Sequence, residues 1–244
     1  MLVVDLVRRH LARPLLHHLR RPVLMRRMAR ASKVSVMGSE LWTDPNVFHP
    51  VYFSSSRLLA EHVVELAPKG RAVLDMGTGS GVIAVAAARA GAVVTACDVN
   101  PHAVTLAREN ARRNGVSVEV LQSDLFAALP ERRFDLVAFN IPFYSSTPAT
   151  PYEAAFGAGP QLSTVRRFGS ELPRHLAEGG RAVIVYSEDC DGAAVARAFG
   201  EAGLELESRR TAMRSFERFH LATFRSGGKP VQASSVRDTV GRPE

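Results

Sequence analysis

An acid and three glycines stand where one apolar run ends and the next begins. Residues 72–85 read Ala-Val-Leu-Asp-Met-Gly-Thr-Gly-Ser-Gly-Val-Ile-Ala-Val. Glycine permits positive φ and lets the backbone pass close to a ligand. A strand that turns through glycines into a helix therefore leaves N–H groups facing a pocket at the carboxyl edge of a parallel sheet. The spacing is G-x-G-x-G, and Val82 stands where a dinucleotide fingerprint needs its third glycine. That argues against NAD and for a ligand without a pyrophosphate. Asp75, just ahead of Gly77, is a carboxylate able to attract a cationic amine and order the turn. Three later apolar runs also end on polar side chains, at Asp98, Asp124 and Asn140.

With its Asp-x-Gly-Thr-Gly-Ser-Gly run the chain resembles class I methyltransferases that use S-adenosylmethionine, and within them the HemK-like (release-factor glutamine methyltransferase) family. The resemblance implies S-adenosylmethionine as cofactor, with Asp75, Gly77, Thr78, Gly79 and Gly81 around its methionine part. Asp98, with Val99 beside it, lies about twenty residues further on, where a carboxylate can accept both ribose hydroxyls. Asp124 would reach the exocyclic amine of adenine, with Leu125 and Phe126 flanking the ring. Each acid has a plainer alternative: Asp98 as the cap of the following helix, Asp124 as a surface turn residue.

The fourth run, Phe134 to Phe139, leads into Asn140-Ile141-Pro142-Phe143. This is similar to the Asn/Asp-Pro-Pro-aromatic motif of amino- and amide-methylating enzymes, with Ile141 in place of the first proline. By that resemblance the Asn140 side-chain oxygen and the Ile141 carbonyl accept the hydrogens of a substrate NH₂, while Phe143 packs on the planar group. No strong base is needed, because orientation alone can supply several kcal/mol of such a barrier. Proline does not fix φ at residue 141, which leaves the direction of that carbonyl open. Glu153-Ala-Ala-Phe-Gly157 and Leu176-Ala-Glu-Gly-Gly180 also resemble HemK-like stretches. Val47-Phe-His-Pro50 through Leu59 resembles the family's substrate-side segment, but carries Tyr52-Phe-Ser-Ser-Ser56 where relatives have acids and a threonine. His49 reads as a loop histidine rather than a base.

A protein glutamine amide is the family's default acceptor. A small molecule and a ribosomal or transfer RNA base are the alternatives, and a non-catalytic scaffold is a fourth reading that an intact Asn140-x-Pro142-Phe143 argues against. The whole chain carries +7, yet residues 1–33 hold nine Arg/Lys against one acid, Asp5, so the remainder is near neutral. Residues 2–30 alternate apolar and basic residues at helical spacing, broken by Pro14 and Pro22. Such helices can cap the catalytic domain or offer a basic face to RNA, an acidic partner or an anionic membrane surface. No aromatic interleaves these arginines, so base stacking has no platform.

These residues need a scaffold of alternating elements. Helical spacing predicts a helix near 56–66, and the pattern then predicts strand 72–75, helix 80–90, strand 93–97, helix 101–113, strand 117–121 and strand 134–139. A long loop, helix 161–177, strand 181–186, helix 192–202 and strands at 204–210 and 217–225 follow. The expected fold is α/β, a doubly wound, mostly parallel seven-stranded Rossmann-like sheet with an antiparallel strand near its end. Residues 1–46 are expected as helical extension and linker, 47–225 as the methyltransferase domain, and 226–244 as a disordered tail. No apolar run reaches transmembrane length, and two cysteines without metal or redox spacing fit a reducing, cytoplasmic setting.

Overall fold

The computed structural model describes residues 28–51, 54–66, 69–214, 217–227 and 238–240. The helices expected over residues 2–27 and most of the expected tail lie outside the described residues. The first elements are β1 (Lys33–Val36) and β2 (Ser39–Trp42), an antiparallel hairpin. Met37 and Gly38 turn it, both at positive φ (51° and 72°), the backbone that two-residue hairpins favour. Here the structure departs from the expected linker. Val36, Ser39 and Leu41 are buried, so the segment packs inward rather than merely connecting. Asn110 holds it in place: its Oδ1 accepts from Trp42 N at 2.7 Å, and its Nδ2 donates to Trp42 O at 3.0 Å and to Ser80 O at 2.9 Å.

The main sheet follows. Its elements are α1 (Ser54–Leu66), β3 (Ala72–Met76), α2 (Val82–Arg89), β4 (Val93–Asp98), α3 (Pro101–Arg113), β5 (Val118–Gln122) and β6 (Phe134–Asn140). They continue with α4 (Ser163–His175), β7 (Leu176–Ser187), α5 (Gly192–Glu201), β8 (Leu204–Arg214) and β9 (Glu217–Ser226). Strand order is β8-β9-β7-β6-β3-β4-β5, with a three-residue strand β10 (Asp238–Val240) added parallel to β8. That last strand falls in the segment whose composition predicts no order. Strands β3 to β7 pair in parallel, and β9 runs antiparallel to both β7 and β8. The chain thus has the class I methyltransferase fold.

Successive residues of a strand face opposite sides of the sheet, which divides the core in two. Val73, Val183 and Val185 pack with Leu58, Leu59, Val63 and Ile83 on the α1–α2 side. Leu74, Val137 and Ile184 pack with Phe168, Leu172 and Phe199 on the α4–α5 side. Strand β7 starts five residues earlier than its apolar run, because Leu176 already pairs with Phe134 before a register shift. Gly180 is required at that shift: a Cβ there would lie 2.8 Å from Phe134 O.

Candidate active site

The tips of β3, β4, β5 and β6 open onto one cleft of about 360 Å³. Its floor is the loop from Gly77 to Ser80. Gly77, Gly79 and Gly81 have φ of 63°, 54° and 82°, a region strained for any residue with a Cβ. Their surroundings differ. A Cβ on Gly77 would sit 3.0 Å from the Phe139 ring, and one on Gly81 3.2 Å from the Ala107 backbone. Gly79 faces open space, with only Val47 at 3.9 Å. Gly81 is therefore needed for α2 to pack on α3, and Gly79 leaves room above the loop.

Asp75 lies behind this loop and is wholly buried. Its Oδ2 accepts from Thr78 Oγ1 at 2.6 Å and from Ala84 N at 3.0 Å, tying strand, loop and helix together. Its Oδ1 is buried with no hydrogen-bond partner, and a carboxylate oxygen in that state calls for a donor. Burial pushes its pKa up to about 7. The Thr78 and Ala84 hydrogen bonds pull it back, and the Asp98 charge adds to the rise.

Asp98 is half-buried on the cleft wall. Its Oδ2 accepts from Gly79 N and its Oδ1 from Asn100 N, both at 2.9 Å. It does not cap the following helix. Asn100 does, accepting from His102 N at 3.0 Å, while its Nδ2 donates to Asn46 O at 2.8 Å. Burial raises the Asp98 pKa against those backbone hydrogen bonds. Val99 is exposed beside it and lines the cleft.

At the tip of β5 the Ser123 hydroxyl donates to Leu125 O at 2.7 Å and accepts from Ala128 N at 2.9 Å. That turn sets Leu125 at φ 50° and buries it against the cleft. The Asp124 carboxylate is exposed at the rim and pairs with Arg167 of α4. Both line the cleft.

Asn140 and Pro142 line the cleft at the end of β6. The Asn140 Nδ2 lies 3.1 Å from both Ser55 Oγ and Ser56 Oγ. Ile141 and Phe143 do not line the cleft. Pairing with β7 runs one residue past Asn140, since Ile141 N donates to Val185 O at 3.3 Å, and this buries Ile141. Phe143 N is drawn to Phe156 O, and its ring lies against Tyr144 and the α4–α5 core. The expected stacking by Phe143 is thereby corrected: among the described residues the aromatic side chains lining the cleft are Phe48, Phe139 and Tyr152. Phe48 and Tyr152 are both braced on Phe156, at 5.3 and 5.6 Å between ring centroids.

Several of these residues escaped the sequence reading. Arg167 is 43 positions from its partner and carries no local motif. Tyr152 precedes the recognised Glu153 loop, whose carboxylate Oε2 accepts from Ala149 N at 2.7 Å and shapes the turn. His49 is buried, and burial lowers its pKa; its Nδ1 accepts from Val51 N at 3.3 Å. It does not reach the cleft.

Residues 38–209 match the family model for the methyltransferase small domain. The chain belongs to that family. It is a methyltransferase, and S-adenosylmethionine is its methyl donor. A putative protein N5-glutamine methyltransferase of Methanocaldococcus jannaschii is 34% identical over 160 residues, 63% of this chain and 79% of that one. A release factor glutamine methyltransferase of Koribacter versatilis is 36% identical over 137 residues, 50% of this chain and 49% of that one. The chain spans about half the length of the bacterial release-factor enzymes it matches. Among solved structures, a ribosomal protein L11 methylase from Lactobacillus delbrueckii subsp. bulgaricus superposes with a TM-score of 0.57 at 26% identity, covering 75% of this chain and 83% of that one. The open space over Gly79 and the acid at the next strand tip suit this methyl donor, whereas Asp75 lies behind the loop and, against expectation, does not line the cleft.

Proposed function

We propose that the enzyme methylates a nitrogen, and that the acceptor is a side-chain amide of a protein. When bound, S-adenosylmethionine supplies a methyl group already activated on a sulfonium. The protein has to hold, orient and exclude water. In this reading the loop from Gly77 to Ser80, braced from behind by the buried Asp75, takes the amino-acid end. Asp98 takes the ribose, and Asp124 with Leu125 takes the adenine.

The observation that carries the nitrogen assignment is the state of Asn140. Its amide nitrogen is taken up by two serine hydroxyls, and its Oδ1 has no partner among the described residues, at the strand tip beside the glycine loop. An amide oxygen in that position accepts an N–H and so points the acceptor's lone pair into the cleft. A planar amide would then lie among Pro142, Phe48 and Tyr152. The choice of a glutamine amide draws on the Methanocaldococcus relative's name and its 34% identity.

Incubation with tritiated S-adenosylmethionine and fractionated cell extract tests this reading. Label should enter protein, and acid hydrolysis should release it as methylamine, the product of an N-methylated amide. Label in RNA or in small molecules would overturn the choice of acceptor.

A further inference from the structure

Asparagine presents two ends of nearly equal size, and only one of them can accept a hydrogen bond. A site that depends on the oxygen must decide which way the amide turns. Two hydroxyls meet Asn140 on the same side. Ser55 Oγ and Ser56 Oγ each lie 3.1 Å from Nδ2, which has two N–H bonds to give. Both serines are buried, and they stand in the first turn of α1. That turn is itself fixed, because Leu58, Leu59 and Val63 are sunk in the core one or two turns later.

We infer that Ser55 and Ser56 are positioning residues for methyl transfer: they hold the Asn140 amide nitrogen and so leave its oxygen facing the acceptor. The inference rests on Asn140 meeting the acceptor nitrogen. It assigns a task to the serine run Ser54-Ser-Ser56, which is unlike the acid-rich segment of HemK-like relatives. A reversed amide would present two N–H donors to an acceptor that also brings N–H donors, and the nitrogen could not be seated. A serine hydroxyl can also donate, so the two serines fix where the amide sits, and the acceptor's own N–H donors select the orientation with its oxygen outward.

The test compares Asn140→Ala, the double variant Ser55→Ala/Ser56→Ala and the double variant Ser55→Thr/Ser56→Thr. Two readouts are used: tritium transfer from S-adenosylmethionine into the protein fraction of extract, and solvent exchange of the Asn140 side-chain amide protons by ¹⁵N NMR. The alanine pair should lower kcat by about tenfold or more, since a misdirected acceptor loses orientation. Donor affinity by calorimetry should stay within about twofold, because this reading holds the donor through the glycine loop, Asp98 and Asp124, while Ser56 lines the cleft beside Asn140. The threonine pair keeps both hydroxyls and should return most of the lost rate. In the wild type the Asn140 amide protons should exchange slowly, and in the alanine pair at the rate of an exposed asparagine.

Wild-type turnover in the alanine pair, or loss of donor binding in step with kcat, would overturn the role given to the serines. So would free exchange of the Asn140 amide in the wild type, which needs no acceptor and no folded variant to observe. If Asn140→Ala itself keeps full turnover, the nitrogen-seating reading fails instead, and the exchange rates still report whether the serines hold the amide.

Discussion

Asp75 combines complete burial, two hydrogen bonds on one oxygen and none on the other. Its folded pKa, about 7, lies above the unfolded carboxylate value of 3.8. The native state therefore holds a proton that the unfolded chain gives up between those values. The stability linked to this group is fully present below 3.8 and is lost as pH rises to about 7. Unfolding free energies of Asp75→Asn relative to wild type should accordingly improve as pH rises across that window. A difference that stays flat with pH would contradict the raised value. At the end of β6, Asn140→Ala should reduce kcat on the order of 10²-fold while donor affinity is kept.

The elements place these groups through a few contacts that tolerate little change. Gly81 joins α2 to α3 at a φ of 82° with the Ala107 backbone against its α-carbon. Gly81→Ala should cost about 1–3 kcal/mol in strain alone. It should also weaken donor binding, which melting with and without S-adenosylmethionine would read. Asn110→Ala should cost about 2–4 kcal/mol, because it strands both backbone groups of Trp42 and the carbonyl of Ser80. Trp42 is the chain's single tryptophan and sits under the Arg113 guanidinium at 5.2 Å, so its emission reports whether the hairpin remains docked.

How far the elements could be read from the sequence follows from these same contacts. Helix α3 begins and ends where Asn100, Pro101 and Gly115 say it should, because its caps are local. The hairpin was legible in the alternation of Lys33-Val-Ser-Val and Ser39-Glu-Leu-Trp about Met37-Gly38, but it follows an arginine-rich stretch that reads as extension. Asp98 and Asn140 were visible because each ends its strand where the strand meets the cleft. The Arg167 partnership and the withdrawal of Phe143 were not visible. Each depends on where α4 and the 144–157 loop come to rest, which no local spacing encodes.

At the scale of the whole molecule the charge is divided: strongly basic before residue 34 and close to neutral after it. Among the described residues lining the cleft the charged side chains are Asp98, Asp124 and Arg167, and the last two are paired. A wall without free basic groups has little purchase on a phosphate backbone. Turnover on a protein acceptor should therefore change less than about threefold between 50 and 200 mM salt. An acceptor held through six to ten phosphates would lose roughly 10³- to 10⁵-fold in affinity over that range. Among the described residues no helix is long and apolar enough to cross a membrane.

The insertion of β9 between β7 and β8 also bears on how the chain is made. As synthesis proceeds, β8 leaves the ribosome before β9, the strand that seats it against the parallel sheet. Until Ser226 has emerged, the edge of β7 and the hydrogen-bonding groups of β8 both wait unpaired, a state prone to aggregation. A chain released after residue 214 should accordingly recruit chaperones, and one released beyond residue 240, with β9 and β10 in place, should not.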